Sequence, residues 1–313
     1  MQLRKLGNSG LKVSEIGLGT NTFGGSADKA ATTAIINRAI DLGVTFIDTA
    51  DIYTRGQSED LIGEALEGKR HQIVLATKCG MPASDSPYET GLSRRWIAHS
   101  IDKSLKKLKT DYIDLFQVHR PDESTPIEET VRALDDAVRQ GKVRYVGCSN
   151  YAAWQLVEAL GAAKLHGLSP WISAQNRWNL IEGLDDPHLL TAAAKFGVGI
   201  IPYTPLASGM LTGKYRRGQE PPAGTRAADL PMIRQRMTDA KLEVVERVLP
   251  WAEERGESTG KLAISWLLAY LEVSTVIVGA RSPEQLAENV KAAEWVLTPA
   301  ERDEVAALAR GEG

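Results

Sequence analysis

Eight short runs of apolar, largely β-branched residues recur down the chain. Each is separated from the next by a stretch with helical spacing. The runs cover residues 16–18, 44–47, 73–76, 113–118, 143–146, 171–174, 198–201 and 276–278. Runs this short and nearly free of polar residues suit strands buried on both faces, the condition of a parallel sheet. Between them, Ile97, Ile101, Leu105 and Leu108 paint one face of a helix. Val131, Leu134 and Val138 do the same after Thr125-Pro126-Ile127-Glu128, a helix start with an acidic first turn. Leu61, Ile62, Ala65 and Leu66 follow Ser58, which reads as an N-cap. Strand and helix alternating eight times predicts an α/β fold, a (β/α)8 TIM barrel. The competing topology is a doubly wound open sheet, which usually carries a phosphate-binding glycine loop after its first strand. Gly17-Leu18-Gly19-Thr20 lacks the third glycine, and the next helical pattern starts about ten residues later, so that signature fails.

Two segments depart from the repeat. Residues 2–14 read as an N-terminal β-hairpin around Asn8-Ser9-Gly10, placed to cover one end of the barrel. Residues 205–237 form a long loop after strand seven, rich in Gly, Pro and Arg, and long loops inside compact domains tend to be functional. No break in composition marks a linker, so residues 1–313 are read as a single domain. With 43% hydrophobic residues and a net charge of −3, the chain has neither the low hydrophobicity nor the high charge of a disordered one. The slight negative charge gives no basic field, so nucleic acid is not an expected partner. No apolar stretch reaches ~18 residues, so no membrane span is expected. The first eight residues lack a signal-peptide core. Cys79 and Cys148 cannot build a disulfide framework, and a reducing cytoplasmic location is expected. The five histidines are scattered and no metal site is expected.

In a barrel of this kind the active site lies at the C-terminal ends of the strands. The second strand ends at Asp48, with Tyr53 in the loop beyond it; the third ends at Lys78 and the fourth at His119. Each is unremarkable alone: a strand-end Asp often caps a helix, and a single Lys, His or Tyr is usually surface charge, structural hydrogen bonding or packing. At neighbouring strand ends they form a proton-transfer set. A phenol with a pKa near ~10 donates poorly at neutrality, and a cation within ~4–6 Å lowers it by roughly 1–3 units. Lys78 supplies that cation, Asp48 holds the ammonium, and His119 shares a carbonyl oxygen with Tyr53. Such a set needs no nucleophile and suits hydride delivery to a carbonyl carbon with a proton to its oxygen.

The segments that carry these residues resemble the aldo-keto reductase superfamily. They are Phe46-Ile47-Asp48-Thr49-Ala50-Asp51-Ile52-Tyr53, Glu59-Asp60-Leu61-Ile62-Gly63-Glu64-Ala65-Leu66, Thr77-Lys78, Asp111-Tyr112-Ile113-Asp114-Leu115-Phe116-Gln117-Val118-His119 and Gly141-Lys142-Val143-Arg144-Tyr145-Val146-Gly147-Cys148-Ser149-Asn150. The resemblance extends over essentially the whole chain. His119-Arg120-Pro121-Asp122 is similar to the branch with bacterial general reductases and potassium-channel β-subunits. The resemblance implies that Asp48, Tyr53, Lys78 and His119 fill the four catalytic positions, with Tyr53 as the acid.

It also implies an extended nicotinamide cofactor across the barrel mouth. Gly19, Thr20, Asn21 and Asp48 would line its inner end, and Ser149, Asn150 and Gln175 would meet the carboxamide. Tyr203 would stack on the nicotinamide. Thr204, Pro205, Leu206, Ser208, Gly209 and Lys214 would cover the pyrophosphate. Gly279, Arg281, Ser282, Gln285 and Asn289 would hold the adenosine end, with Ser282 an N-cap, Pro283 at the first helical position and Arg281 forked toward a 2′-phosphate. Many NADP-preferring relatives carry a basic residue at the place of Gln285, and some a lysine at that of Gly279. NADP is nonetheless favoured over NAD. Phe23, Tyr53, Tyr88, Trp96, Arg120 and Trp178 are the candidate substrate-pocket residues, with the loops at 79–92 and 205–237 setting which carbonyl or alcohol is accepted. The expected activity is reduction of an aldehyde or ketone, or the reverse. The alternative is a nucleotide-binding partner protein of the channel β-subunit type with little turnover. A third reading, an aldolase or isomerase with Lys78 as Schiff base, leaves Asp48 and Tyr53 without a purpose. The substrate, the physiological direction and the oligomeric state stay open.

Overall fold

The computed structural model describes residues 1–312. The chain opens with a hairpin, β1 (Leu3–Lys5) and β2 (Lys12–Ser14), paired antiparallel. Eight parallel strands follow. They are β3 (Ile16–Gly19), β4 (Phe46–Asp48), β5 (Val74–Cys79), β6 (Ile113–Val118), β7 (Val143–Ser149), β8 (Trp171–Asn179), β10 (Gly199–Tyr203) and β11 (Val276–Gly279). A short β9 (Gly183–Leu184) folds back antiparallel on the end of β8. Each of the eight parallel strands pairs with its neighbour in chain order, and β11 returns to pair with β3. The last gap, between β10 and β11, is closed by a single bridge: Ile200 accepts from the Ser274 N–H at 2.9 Å and donates to the Glu272 carbonyl at 2.8 Å. The architecture is the (β/α)8 barrel that the repeat predicts.

Helices pack around the sheet. Those between the first seven barrel strands are α1 (Lys29–Asp41), α2 (Gln57–Ala65), α3 (Arg94–Lys107), α4 (Ile127–Arg139), α5 (Ala153–His166) and α6 (His188–Phe196). The stripe of α3 works as its spacing implies: Ile97 and Ile101 are buried, and the Ser93 hydroxyl caps the helix by accepting the Trp96 N–H. The expected cap of α2 is corrected. Gly56, in the left-handed region at φ 83°, precedes the helix, and Ser58 lies inside its first turn. The Ser58 hydroxyl is instead buried, donating to the Thr20 carbonyl at 3.0 Å and contacting the Thr49 hydroxyl at 2.9 Å. It ties β3 to the loop after β4. The long segment after β10 is partly ordered: a 3-10 turn at Ala207–Thr212, then α7 (Arg226–Asp229) and α8 (Pro231–Arg236). The chain continues with α9 (Asp239–Glu253) and α10 (Thr259–Leu268) before β11, and ends with α11 (Pro283–Val290) and α12 (Pro299–Arg310). Among the described residues no helix is long and apolar enough to cross a membrane.

The barrel interior is closed at one end and polar at the other. Leu6 and Val13 of the hairpin pack with Phe46, Ala76, Leu115, Ile172, Ile201 and Ile277 into a small inner core. Because side chains alternate along a strand, inward positions recur every second residue. One pleat above the inner core therefore lie Asp48, Lys78, Gln117, Tyr203 and Gly279, all at the C-terminal end. The hairpin docks tightly. Gly7 sits at φ +56°, and a Cβ there would come within 2.5 Å of the Gly197 carbonyl oxygen and 2.7 Å of that of Ile172. Gly7→Ala is therefore expected to destabilise the protein by about 2–4 kcal/mol, from left-handed strain plus backbone overlap. Urea denaturation should show the lower midpoint, while the polar end of the barrel, at the opposite end, is untouched.

Candidate active site

At the polar end a buried ion pair forms the floor of the site. Lys78 is fully buried and its Nζ contacts Asp48 Oδ2 at 2.6 Å. The same ammonium donates to the Thr49 carbonyl at 2.9 Å and lies 3.5 Å from Tyr53 Oη. Asp48 Oδ1 accepts from Gln175 Nε2 at 2.8 Å and from Gln117 Nε2 at 3.4 Å. The carboxylate thus has donors on both oxygens, as a buried charge requires. The His119 ring stands edge-on to Tyr53, with centroids 5.9 Å apart. Its backbone is pinned on both sides: the His119 N–H donates to the Cys79 carbonyl at 2.7 Å, and its carbonyl accepts from Asn150 Nδ2 at 2.9 Å. Asp48, Tyr53, Lys78 and His119 are therefore brought together at one mouth.

The electrostatics follow from burial. Burial pulls the Lys78 pKa down, but Asp48 and Tyr53 together outweigh that cost and hold it above the ordinary lysine value. His119 is pushed down to about 3 by burial and by the cations Lys78 and Arg120, so the imidazole is neutral at physiological pH. Its Nδ1 is buried without a hydrogen-bond partner. Tyr53 corrects a detail of the expectation. Lys78 does draw the phenol pKa down, but burial is the larger influence, and the phenol lies above its usual value. Tyr53 is thus a fully protonated phenol at neutral pH, with an ammonium in place to receive the negative charge left when the proton departs.

From this floor a cavity of about 430 Å³ runs across the barrel mouth, within the usual size range of small-molecule sites. Gly19, Thr20 and Asn21 line it from β3 and the turn after it, Asp48 from the end of β4, and Tyr53 and His119 from the loops beyond β4 and β6. Ser149, Asn150 and Gln175 contribute from β7 and β8, and Tyr203, Thr204, Pro205, Leu206, Ser208, Gly209 and Lys214 from β10 and its long loop. Gly279, Arg281 and Gln285 close the far end. Tyr203 is fixed by donating its hydroxyl proton to Asn150 Oδ1 at 2.7 Å. Gln175 has its amide nitrogen on Asp48. Among the described residues seven non-glycine positions adopt positive φ, and six of them (Thr54, Arg55, Asn150, Thr204, Ala207 and Ser208) lie in the loops around this mouth. Such strain is costly, of order 1–3 kcal/mol each, and its concentration here marks a face shaped for binding.

At the far end, Ser282 caps α11 by accepting the Gln285 N–H at 3.2 Å. The Gln285 side chain accepts the Arg281 N–H at 2.8 Å, and Asn289 Nδ2 donates to the Gly279 carbonyl at 3.2 Å. Both amides thus brace the turn that presents Arg281. Ser282 and Asn289 stand behind the cavity wall, and Arg281 forms no ion pair among the described residues.

The other candidate pocket residues are not brought to the cavity. Phe23 is fully buried in the outer core, and its carbonyl accepts the Thr54 hydroxyl at 2.5 Å. Trp96 is buried on α3 with its ring stacked on His99. Trp178 packs against Tyr270 at 4.6 Å and Trp266 at 5.6 Å, on the face of β8 opposite Gln175. Strand alternation separates positions 175 and 178, which is why an aromatic near the right strand end points outward. Tyr88 is exposed beneath the Arg95 guanidinium, 4.5 Å away, and Arg120 is exposed on the rim beside His119. Conversely, Thr22, Thr212, Gly224, Thr225 and Ala280 line the cavity without having been singled out from sequence. Their only signal was membership of loops at the strand ends.

A profile of the Aldo/keto reductase family matches residues 15–310. The chain belongs to this family. It is 35% identical over 321 residues to "Probable voltage-gated potassium channel subunit beta" of Oryza sativa subsp. japonica, covering 100% of this chain and 98% of the relative. It is 37% identical over 309 residues to "L-glyceraldehyde 3-phosphate reductase" of Escherichia coli O157:H7, covering 93% and 87%. It is 33% identical over 327 residues to "Versiconal hemiacetal acetate reductase" of Aspergillus parasiticus, covering 96% and 95%. Oxidoreductases are thus among its full-length relatives.

The buried pair gives a direct test of the site's construction. Asp48→Ala leaves the Lys78 ammonium enclosed without its carboxylate and is expected to lose about 3–5 kcal/mol of stability. The double variant Asp48→Ala with Lys78→Met, which removes both charges, should regain most of that loss in urea denaturation at neutral pH.

Proposed function

We propose that the chain is an NADP(H)-dependent carbonyl reductase, interconverting aldehydes or ketones and alcohols, with Tyr53 as the general acid and base. The observation that carries this reading is the contact of a half-buried, protonated phenol with a buried ammonium held by Asp48. The lining of the cavity supports this reading. It is walled by backbone in positive-φ turns, carries an aromatic ring at Tyr203 and includes Arg281, which has no ion pair among the described residues, beside a capped helix start. Tyr203, Ser149 and Asn150 would hold the nicotinamide end, the 204–214 loop the pyrophosphate, and Arg281 a 2′-phosphate. The bound nicotinamide supplies the hydride.

The protein's own part is proton transfer and charge stabilisation. Tyr53 Oη donates its proton to the carbonyl oxygen as that oxygen gains charge. Lys78 stabilises the phenolate left behind, and Asp48 keeps Lys78 charged and pointed at Tyr53. Neutral His119 orients the carbonyl without competing for the proton at neutral pH. Burial of the pair excludes water that would otherwise screen these interactions. Substrate would enter past Arg120 and the loop at 79–92. The channel-subunit relatives favour a second reading, in which cofactor occupancy matters more than turnover. A panel of carbonyl substrates with each cofactor separates the two.

Tyr53→Phe keeps the ring and removes the donor. It should lower turnover by about 10²–10⁴-fold while cofactor affinity stays near wild type. A variant that keeps half its activity across the panel would rule out Tyr53 as the acid. Arg281→Ala should weaken NADPH by roughly 1.5–3 kcal/mol and NADH far less, because only the phosphorylated cofactor offers the 2′-phosphate. Dissociation constants from quenching of tryptophan fluorescence measure both. Equal losses would place Arg281 on a group common to the two cofactors.

A further inference from the structure

Behind the site lies a polar cluster that the proposed chemistry does not use. Asp51 is two residues before Tyr53 and 7% exposed; Glu59, in the first turn of α2, is fully buried. Asp51 is joined to the catalytic strand through its backbone, its N–H donating to the Lys78 carbonyl at 3.1 Å. Its Oδ2 accepts the Ser100 hydroxyl of α3 at 3.1 Å. Glu59 Oε1 accepts the hydroxyl of Thr77, the residue before Lys78, at 2.7 Å. Asp51 Oδ1 and Glu59 Oε2 are buried without hydrogen-bond partners. Neither carboxyl forms an ion pair among the described residues. Lys107, the cation that acts on Glu59, is occupied by Asp60 at 2.7 Å and by the Gly56 carbonyl at 3.1 Å.

Two buried carboxyl groups without a salt bridge cannot both ionise cheaply. We propose that Asp51 and Glu59 are positioning residues that act on Tyr53 from behind: the pair holds a proton while the site is active, and its ionisation makes Tyr53 a weaker acid. The inference rests on Tyr53 being the proton donor. When the Asp51 carboxyl releases its proton to solvent, a negative charge appears two residues from the phenol. It opposes formation of phenolate, as the electrostatic effect of Asp51 on Tyr53 already indicates. The surrounding charges agree. Asp51 faces Glu59 from α2, Lys103 and Ser100 from α3 and the neutral thiol of Cys79 from β5. Glu59 faces Thr77, Ser104, Lys107 and Asp60. Burial and Glu59 push Asp51 up to about 7, with Ser100 and Lys103 resisting, and burial raises Glu59 as well.

The test uses the intact protein, NADPH and 4-nitrobenzaldehyde in single-turnover stopped flow between pH 6 and 9. The wild-type rate of NADPH oxidation should fall roughly threefold as pH rises through about 7, the size expected for a modest change in donor acidity. Asp51→Asn, which keeps shape and hydrogen bonding but cannot ionise, should keep the low-pH rate and flatten that step. Asp51→Ala should be slower throughout. Infrared difference spectra supply a readout independent of turnover. A protonated-carboxyl band should disappear as pH passes about 7 in wild type and in Tyr53→Phe, and be missing in Asp51→Asn. An unchanged pH step in Asp51→Asn, or no carboxyl band titrating between pH 6 and 8, overturns the proposal. If Tyr53→Phe stays active while the band titrates normally, the assignment of Tyr53 fails and the buried carboxyl pair stands.

Discussion

A lysine with no solvent exposure, held 2.6 Å from a carboxylate inside a barrel of Phe, Leu and Ile, is the constraint around which this protein is organised. Burying either charge alone would neutralise it; burying both together requires every remaining lone pair and proton to be matched. Gln117 and Gln175 donate to Asp48, Thr49 accepts from Lys78, and the last direction from Lys78 points at the Tyr53 hydroxyl. The pair therefore dictates which residues stand at the ends of β4, β5 and β6, and at Gln175 of β8 across the barrel. A group of hydrogen bonds that satisfies a structural need also sets a phenol beside a fixed positive charge.

The layering of the interior follows from the pleat. Phe46, Ala76, Leu115, Ile201 and Ile277 share one layer of the interior, and two residues further along each strand stands a residue of the site. This is why the barrel and its four central residues were legible in the sequence. Eight apolar runs gave the strands, and the four polar residues at the ends of three of them had one place to point. The same logic explains what was misread. Trp178 and Phe23 lie near the right strand ends in sequence, but alternation and the turn after β3 send them into the outer core. The N-cap of α2 was misplaced because Ser58 found two buried partners, which local spacing cannot reveal. Nor did the charge of Tyr53 follow from spacing alone, since burial outweighs the nearby ammonium.

The two ends of the barrel divide the work of the fold. One is plugged by a hairpin whose Leu6 and Val13 complete the apolar core. The other carries nearly all the backbone strain in the chain, in loops that meet around the cavity. Stability is thus drawn from residues that touch no ligand, and loops that shape the mouth can hold unfavourable conformations without unravelling the sheet beneath them.

The seam between β10 and β11 gives this mouth a mechanical property. Every other junction of the barrel is a ladder of several residues, whereas this one is closed by two hydrogen bonds at Ile200. β10 carries Tyr203 and the long loop, and β11 carries the turn with Arg281, so the two walls of the cavity stand on either side of its most compliant joint. Each wall is anchored rigidly to its other neighbour, β8 or β3. The two walls of the groove therefore meet across the junction that holds the fewest hydrogen bonds of the barrel, while the Asp48–Lys78 pair stands on the opposite side of the cylinder, where β4, β5 and β6 are joined by ladders of several residues.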